Sequence, residues 1–323
     1  MATPQLMNEK NHANAQSVNY GKLTWYYIEK PTEQDVAFLA QRFNFHPLNL
    51  DDVLSRVQRP KIDEEEDHLF IVLHFPVFNK QSRVTIPSEV DIFIGENYLV
   101  TVHKNGDLKP LAKFFKDCDV DEGTRQKYMG RSSSYLLYHL LDRLVNYCFP
   151  ILNKLIDNID KTETLIFSKA VPETVREISI IRRDLIGFRR VIRPQVAVVE
   201  ALEQEEYPFF KEEQEVYFGD IADHIRKIWD GLEDYKEVVD GLMDTSNWLT
   251  SHRIQEIMRV LTIVMALLAP ATLIASIYGM NVCLPGGHNG GSGKDYVPLA
   301  VLLTIMVGIA GSMLFYFRRK HWL

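Results

Sequence analysis

Cysteine is scarce in this chain. The three thiols in 323 residues, Cys118, Cys148 and Cys283, lie far apart with no C-x-x-C pair. That spacing gives neither a disulfide framework nor a zinc knuckle, so reduced structural thiols are expected. Charge is missing from two whole segments. Val297 to Phe317 is 21 residues without a formal charge, and Ile257 to Tyr278 is 22 residues whose only charge is Arg259. Met1 to Asn19, by contrast, lacks an apolar run, so no signal peptide is expected there. Basic residues are in deficit in the body of the chain. Residues 253–323 hold six basic and two acidic side chains, which leaves −11 on residues 1–252 out of −7 overall. An acidic body disfavours nucleic acid as a partner and weakly favours cations. No nucleophile–base pair has motif spacing, so an enzyme is not expected.

What is present begins with the two uncharged runs. A helix rising about 1.5 Å per residue needs about 20 apolar residues to cross a hydrocarbon core of about 30 Å. Residues 257–278 and 297–317 are each long enough, and a lipid bilayer is the predicted partner of both. Arg253 and Arg259 precede the first span, while Arg318, Arg319 and Lys320 of the tail 318–323 follow the second. The loop 279–296 between them has only Lys294, offset by Asp295. The positive-inside bias predicts both chain ends in the cytoplasm and the loop outside.

The soluble part reads as α+β. Residues 1–20 are polar and predicted to be disordered. Residues 21–130 predict a small mixed sheet with helices on it. Strands are expected near 23–28, 69–75, 90–94 and 98–103, the last two joined by a Gly95-Glu96-Asn97 hairpin. Thr32 and Asp35 form a capping-box start for one helix, and a second begins just after His46. The run Asp63–Asp67 reads as a solvated face, and His68 and His74 as sheet packing. Residues 131–256 are predicted helical, interrupted or kinked at Pro150 and Pro194. From Val216 the apolar positions Ile221, Ile225, Ile228, Leu232, Tyr235, Val239 and Leu242 follow a heptad seam. That helix has no proline before Pro270, which predicts one stalk helix continuing into the first span. A narrow seam needs partners, either the preceding helices or other copies of the chain. Two spans per chain cannot shield a polar path from lipid on all sides, so any conduction requires an oligomer.

Tyr278-Gly279-Met280-Asn281, at the outer end of the first of two C-terminal spans, resembles the signature of the CorA family of magnesium transporters. So do His46-Pro47-Leu48 with Asp51-Asp52 and Gln58-Arg59-Pro60-Lys61, and Met258-Arg259-Val260-Leu261-Thr262. The tail Arg318-Arg319-Lys320-His321-Trp322-Leu323 resembles that family's basic end. The resemblance implies a homopentameric funnel in the cytoplasmic membrane of a prokaryote, moving Mg²⁺ through a pore lined by the first span. It implies Asn281, Thr272, Ala269, Leu261 and Met258 as pore-lining residues, with Met258 and Leu261 an apolar gate. It also implies regulatory Mg²⁺ held between cytoplasmic domains by Asp52 and Asp220, with Asp223 nearby.

The chemistry of the residues agrees. Mg²⁺ holds its water tightly, and a ring of Asn281 carboxamides can hydrogen-bond those waters without the deep well of a carboxylate ring. Gly279 predicts a tight, left-handed exit from the helix. Pro270 frees a carbonyl that Thr272 or pore water can compensate. Asp220, Asp223 and His224 fall at i, i+3 and i+4, on one helix face. The loop departs from the family pattern: an acidic Met-Pro-Glu-Leu segment is replaced by Val282-Cys283-Leu284-Pro285 and a Gly-rich stretch, with Asp295 the one acid. Gln255 stands where the family has asparagine. His288 and Cys283 suit Zn²⁺, Co²⁺ or Ni²⁺ better than Mg²⁺, which makes His288 and Asp295 candidate loop ligands. Three readings stay open: an Mg²⁺ channel, a Zn²⁺, Co²⁺ or Ni²⁺ transporter on the same fold, and a non-conducting membrane sensor.

Overall fold

A computed structural model describes residues 14–55, 58–166, 171–208, 210, 214–280 and 297–320. The chain divides into two compact units, Met1–Asp244 and Thr245–Leu323.

The first unit is organised by a six-stranded sheet. Its strands are β1 (Ala15–Tyr20), β2 (Leu23–Glu29), β3 (Lys61–Glu64), β4 (His68–Asn79), β5 (Val84–Gly95) and β6 (Tyr98–His103), ordered β1-β2-β6-β5-β4-β3. The β2–β6 pairing is parallel and places Trp25 opposite Leu99; the other pairings are antiparallel. Successive side chains of a strand alternate between faces, and β2 uses both. Tyr26 and Ile28 join a core with Phe70, Val72, Phe93, Val100 and Val102. Over that face lie α1 (Glu33–Arg42) and α2 (Pro47–Leu54), which contribute Leu39, Leu50 and Val53. Trp25 and Tyr27 point the other way, toward Phe114 and Phe115 of α3 (Lys109–Val120). There Trp25 meets the two rings edge-on at 5.2 and 5.1 Å. A short α4 (Glu122–Met129) follows, and α5 (Ser133–Leu165) and α6 (Val171–Gln204) pack on β4 and β5. With both faces covered, β4 is buried from His68 to Pro76 and reads as a near-continuous apolar run. His68 and His74 belong to that buried stretch.

The local start signals act as expected. Thr32 and Asp35 make both bonds of a capping box, and His46 Nδ1 accepts from the Leu48 amide at 3.2 Å, with Pro47 next in the first turn. Ser132 caps α5 by accepting from the Tyr135 amide at 3.0 Å. One expectation fails. Residues 1–20 are not all disordered: Ala15–Tyr20 pairs with β2 as an edge strand, because pairing supplies backbone hydrogen bonds that its polar side chains do not advertise. Of the two alternatives at Pro150, a kink or a restart, the restart does not occur, and α5 and α6 run through Pro150 and Pro194. In the interior each proline removes one helical hydrogen bond, and burial of Leu144, Leu152, Val191 and Val198 on either side holds the helices together.

The long helix α7 spans Gln214–Tyr278, 65 residues with Pro270 inside. Its seam residues Ile221, Ile225, Ile228, Leu232, Val239 and Leu242 are buried, whereas Val216 is exposed. The partners are the preceding helices. Phe149 of α5 sets its ring edge-on to His224, Leu152 lies 3.6 Å from where a Cβ on Gly231 would sit, and Arg189 of α6 bonds Glu233. Arg226 reaches Glu200 and Glu203 of α6 at 3.0 and 3.1 Å.

The second unit holds the rest of α7 and α8 (Val297–Arg319). Both helices are long and apolar enough to cross a membrane, and their most apolar stretches are almost wholly unburied. Val260, Met265, Leu268, Val307 and Phe315 are all exposed. Thr262, Thr272 and Thr304 return their hydroxyls to the carbonyls of Met258, Leu268 and Ala300 at 2.7–2.9 Å, so their polar groups are satisfied within the helix. The carbonyl that Pro270 frees is that of Ala266. Of the two expected partners for it, Thr272 has its own hydroxyl on Leu268, which leaves pore water.

Candidate functional site

The stripe of α7 expected to face a pore comes from the resemblance, which implies Met258, Leu261, Ala269 and Thr272. Met258, Leu261, Met265, Ala269 and Thr272 follow steps of 3 and 4 and share one helix face, and Ser276 and Gly279 continue it. Every one of these side chains or positions is exposed, Met258 at 55% and Leu261 at 50%, whereas Ile263 on the opposite face is 4% exposed. Ile263 is an exception on its own side of the helix too, where Val260 and Ile277 are exposed. At the helix end the Gly279 amide donates to the Ala275 carbonyl at 3.0 Å and the Met280 amide to Ile277 at 3.3 Å. Gly279 is not among the glycines with positive φ. The expected left-handed exit is absent at this residue, because Gly279 still closes a helical hydrogen bond. Asn281, Cys283, His288 and Asp295 lie outside the described residues.

A second constellation sits in the first unit. Asp220 and His224, one turn apart on α7, meet Asp142 of α5, and their ligand atoms all lie within 4.8 Å of one another. Asn146, one turn beyond Asp142, donates to its Oδ1 at 2.7 Å and steadies it. Burial, with the nearby Asp220 carboxylate, raises the pKa of Asp142. His224 Nδ1 is buried without a hydrogen-bond partner. Two carboxylates that repel and an imidazole with an open nitrogen form a donor set for a divalent cation, hard enough for Ca²⁺ or hydrated Mg²⁺ and soft enough for Co²⁺, Ni²⁺ or Zn²⁺.

Of the expected regulatory residues, Asp220 belongs to this cluster and the other two do not within one chain. Asp223 is 78% exposed and bonds Arg226 at 2.9 Å. Asp52 receives the Lys61 ammonium at 2.8 Å. Lys104 donates to the carbonyls of Asp52 and Ser55 at 2.8 and 3.2 Å and also to Glu89. Burial opposes the charge on Glu89, yet bonds from His74, Lys104 and the Gln58 amide hold its pKa below the usual value. Asp142 was missed by sequence reasoning. It lies far from Asp220 in the chain, and a lone aspartate in a helix has no spacing to betray it.

Buried Ser88 and His103 and half-buried Asp107 form a trio that resembles a hydrolase triad in composition only. Ser88 Oγ and Asp107 Oδ1 both address His103 Nε2, at 2.9 and 3.1 Å, whereas a relay needs opposite ring nitrogens.

Comparison with known proteins bears on these features together. Residues 20–319 match the family described as CorA-like Mg2+ transporter protein. The chain is 32% identical over 310 residues to the Cobalt/magnesium transport protein CorA of Thermotoga maritima, covering 93% of this chain and 83% of that one. It is 24% identical over 309 residues to the Cobalt/magnesium transport protein CorA of Methanocaldococcus jannaschii, covering 94% and 92%. Its fold matches the complete structure of the CorA magnesium transporter from Methanocaldococcus jannaschii with a TM-score of 0.79 at 23% identity, over 95% of this chain and 94% of that one.

Proposed function

The chain belongs to the CorA-like Mg2+ transporter family, and on that footing we propose that it moves hydrated Mg²⁺ across a membrane as a homopentamer. The observation that carries this reading is the match of residues 20–319 to that family, with Met258, Leu261, Ala269 and Thr272 on one face of a helix long and apolar enough to cross a membrane. Around a central axis, five copies turn the stripe inward and enclose a path that two spans cannot.

In this reading residues 257–278 and 297–317 span the cytoplasmic membrane of a prokaryote, both chain ends are cytoplasmic, and the loop 279–296 is outside. Asn281 of each copy forms the selecting ring beyond Gly279 and Met280, holding the ion through its waters. Met258 and Leu261 form the cytoplasmic constriction, closed by dewetting. Mg²⁺ at Asp142, Asp220 and His224 ties α5 to α7 and favours the closed gate. Asp52 and Asp223 approach the boundary between copies, where a cation would compete with Lys61 and Arg226 for them.

A second ion class is supported by one observation, the imidazole of His224 beside two carboxylates. It extends the regulatory and transported ions to Co²⁺, with Ni²⁺ and Zn²⁺ as softer members of the series and His288 and Asp295 as loop ligands. The test is ion uptake into dye-loaded proteoliposomes for Mg²⁺, Co²⁺, Ni²⁺ and Zn²⁺, with wild type and Asn281→Ala. Mg²⁺ uptake that the variant loses is the expected result. Zn²⁺ uptake without Mg²⁺ uptake would transfer the function to the softer ions, and no flux at all would leave a sensor.

A further inference from the structure

The acidic first unit contains one basic cleft. A cavity of about 1250 Å³ opens between α6, the start of β5 and the segment 58–60. Four arginines line it: Arg59 from the segment before β3, and Arg182, Arg183 and Arg190 from α6. Among the described residues no carboxylate lines it, although residues 1–252 carry a net charge of −11. The α6 contribution is a single helical face, since 179, 182, 183, 186, 187, 190, 191 and 194 step by 3 and 1. Gly187 lets that face come close to the sheet: a Cβ there would lie 2.6 Å from the Thr85 carbonyl oxygen.

The carboxylates nearest these arginines are spoken for. Asp240 takes Arg182 at 3.3 Å, Asp184 accepts from the Thr85 amide at 2.5 Å, and Glu89 is held by Lys104 and His74. Arg183 gives one N–H to the Ser82 carbonyl at 2.9 Å, and a guanidinium has five. Arg59 and Arg190 make no hydrogen bond or ion pair among the described residues. Like charges brought together at two unpartnered guanidinium groups repel, and a bound anion relieves that repulsion. The lining also has apolar members: Ile186 and Val191, interleaved with the arginines on α6, together with Ile86 and Met243.

We propose that this cleft binds a nucleoside di- or triphosphate, with the phosphates on Arg59, Arg183 and Arg190 and the nucleoside against those apolar side chains. The chemistry selects this class on three counts. Arginine forks match phosphate oxygens in bidentate geometry. Several guanidinium groups in one cleft call for clustered negative charge, which a single carboxylate does not supply. The volume exceeds that of an ordinary small-molecule site, about 300–1,000 Å³, so there is room for base, sugar and phosphates.

The experiment uses the full-length protein in detergent, stripped of divalent cations so that chelation cannot mimic binding, at physiological ionic strength. Titration calorimetry compares ATP, inorganic tripolyphosphate and adenosine on wild type and on the Arg59→Ala/Arg190→Ala double variant. ATP should bind more tightly than tripolyphosphate, and adenosine weakly or not at all. The double variant should weaken ATP by about tenfold or more for each charge-assisted hydrogen bond removed, at an unchanged unfolding midpoint. Because neither arginine has a partner among the described residues, the variant should fold; if its midpoint drops, Arg190→Lys, which keeps the charge and loses the fork, supplies the comparison and should still weaken ATP. The proposal is overturned if wild type binds neither polyphosphate, if adenosine binds as well as ATP, or if the variant binds ATP as tightly as wild type. It is equally overturned if wild type ignores polyphosphates while the double variant loses its oligomer, which would make an acidic segment of a second copy the occupant.

Discussion

Asp91 on β5 is fully buried, and neither oxygen of its carboxylate has a hydrogen-bond partner. Lys104 stands 3.7 Å away but is already engaged by Glu89. Burial therefore pushes the Asp91 pKa well above its ordinary 3.8, against the pull of Lys104 and with the push of Glu89 and Asp52. A carboxyl that holds its proton more tightly when folded lowers stability as pH rises from that ordinary value toward its folded one, by up to about 1.4 kcal/mol per unit of the gap. Asp91→Asn removes the titration and keeps the shape. The variant should be more thermostable than wild type at pH 8, with the advantage shrinking toward pH 4; an equal difference at both would show that Asp91 stays ionised. The cation cluster predicts a different signature. With Mg²⁺ and Co²⁺ as inhibitors of flux, His224→Ala should shift inhibition by Co²⁺ more than by Mg²⁺, because imidazole favours the softer ion. Asp142→Ala should raise both inhibitory concentrations about tenfold. If neither variant changes the titration, the regulatory site lies elsewhere.

Among the elements, α6 joins the sheet to the helical layer, and its closeness depends on Gly187. Gly187→Ala forces a Cβ against the Thr85 backbone, which cannot yield as a flexible side chain would. Overpacking of this kind costs about 1–3 kcal/mol, readable as a lower unfolding midpoint of the first unit, whereas Gly241→Ala, with open space around it, should leave the midpoint nearly unchanged. Equal effects would mean that α6 shifts freely. These elements also show what sequence discloses. The seam of α7 was legible because burial on one side imposes a period, and Ile221 through Leu242 obey it. The strand β4 and the Gly95–Tyr98 hairpin were legible from branched residues and a turn. Strand β1 was not, since Ala15–Tyr20 has only Val18 buried deeply. Pro150 left open whether its helix bends or restarts, and burial on both sides carried α5 through it. Asp142 entered the site only through the packing of α5 on α7, a relation between distant segments that no local pattern encodes.

For the whole molecule, the charge pattern makes a statement about sidedness that thiol chemistry can test. Cys118 and Cys148 are buried and free, and burial pushes the Cys118 thiol up to about 11, out of the reactive range. Cys283 belongs to the loop expected outside. In right-side-out vesicles a membrane-impermeant maleimide should label Cys283 alone, and Cys283→Ser should abolish labelling. Labelling confined to inverted vesicles would reverse the orientation. The apolar spans and the basic flanks were the plainest signals in the sequence, because lipid imposes length and charge rules that water does not. The β2–β6 pairing has a further consequence, in the order of synthesis. Leu23–Glu29 cannot find its parallel neighbour until Tyr98–His103 has been made, so the sheet closes late relative to its first strand. Ile257, where the first uncharged run begins, follows much later still. At about 5–20 residues per second the ribosome takes about 8–30 s to travel from His103 to Ile257, while mixed α/β domains fold in milliseconds to seconds. The sheet thus has time to close in water before Ile257 is made.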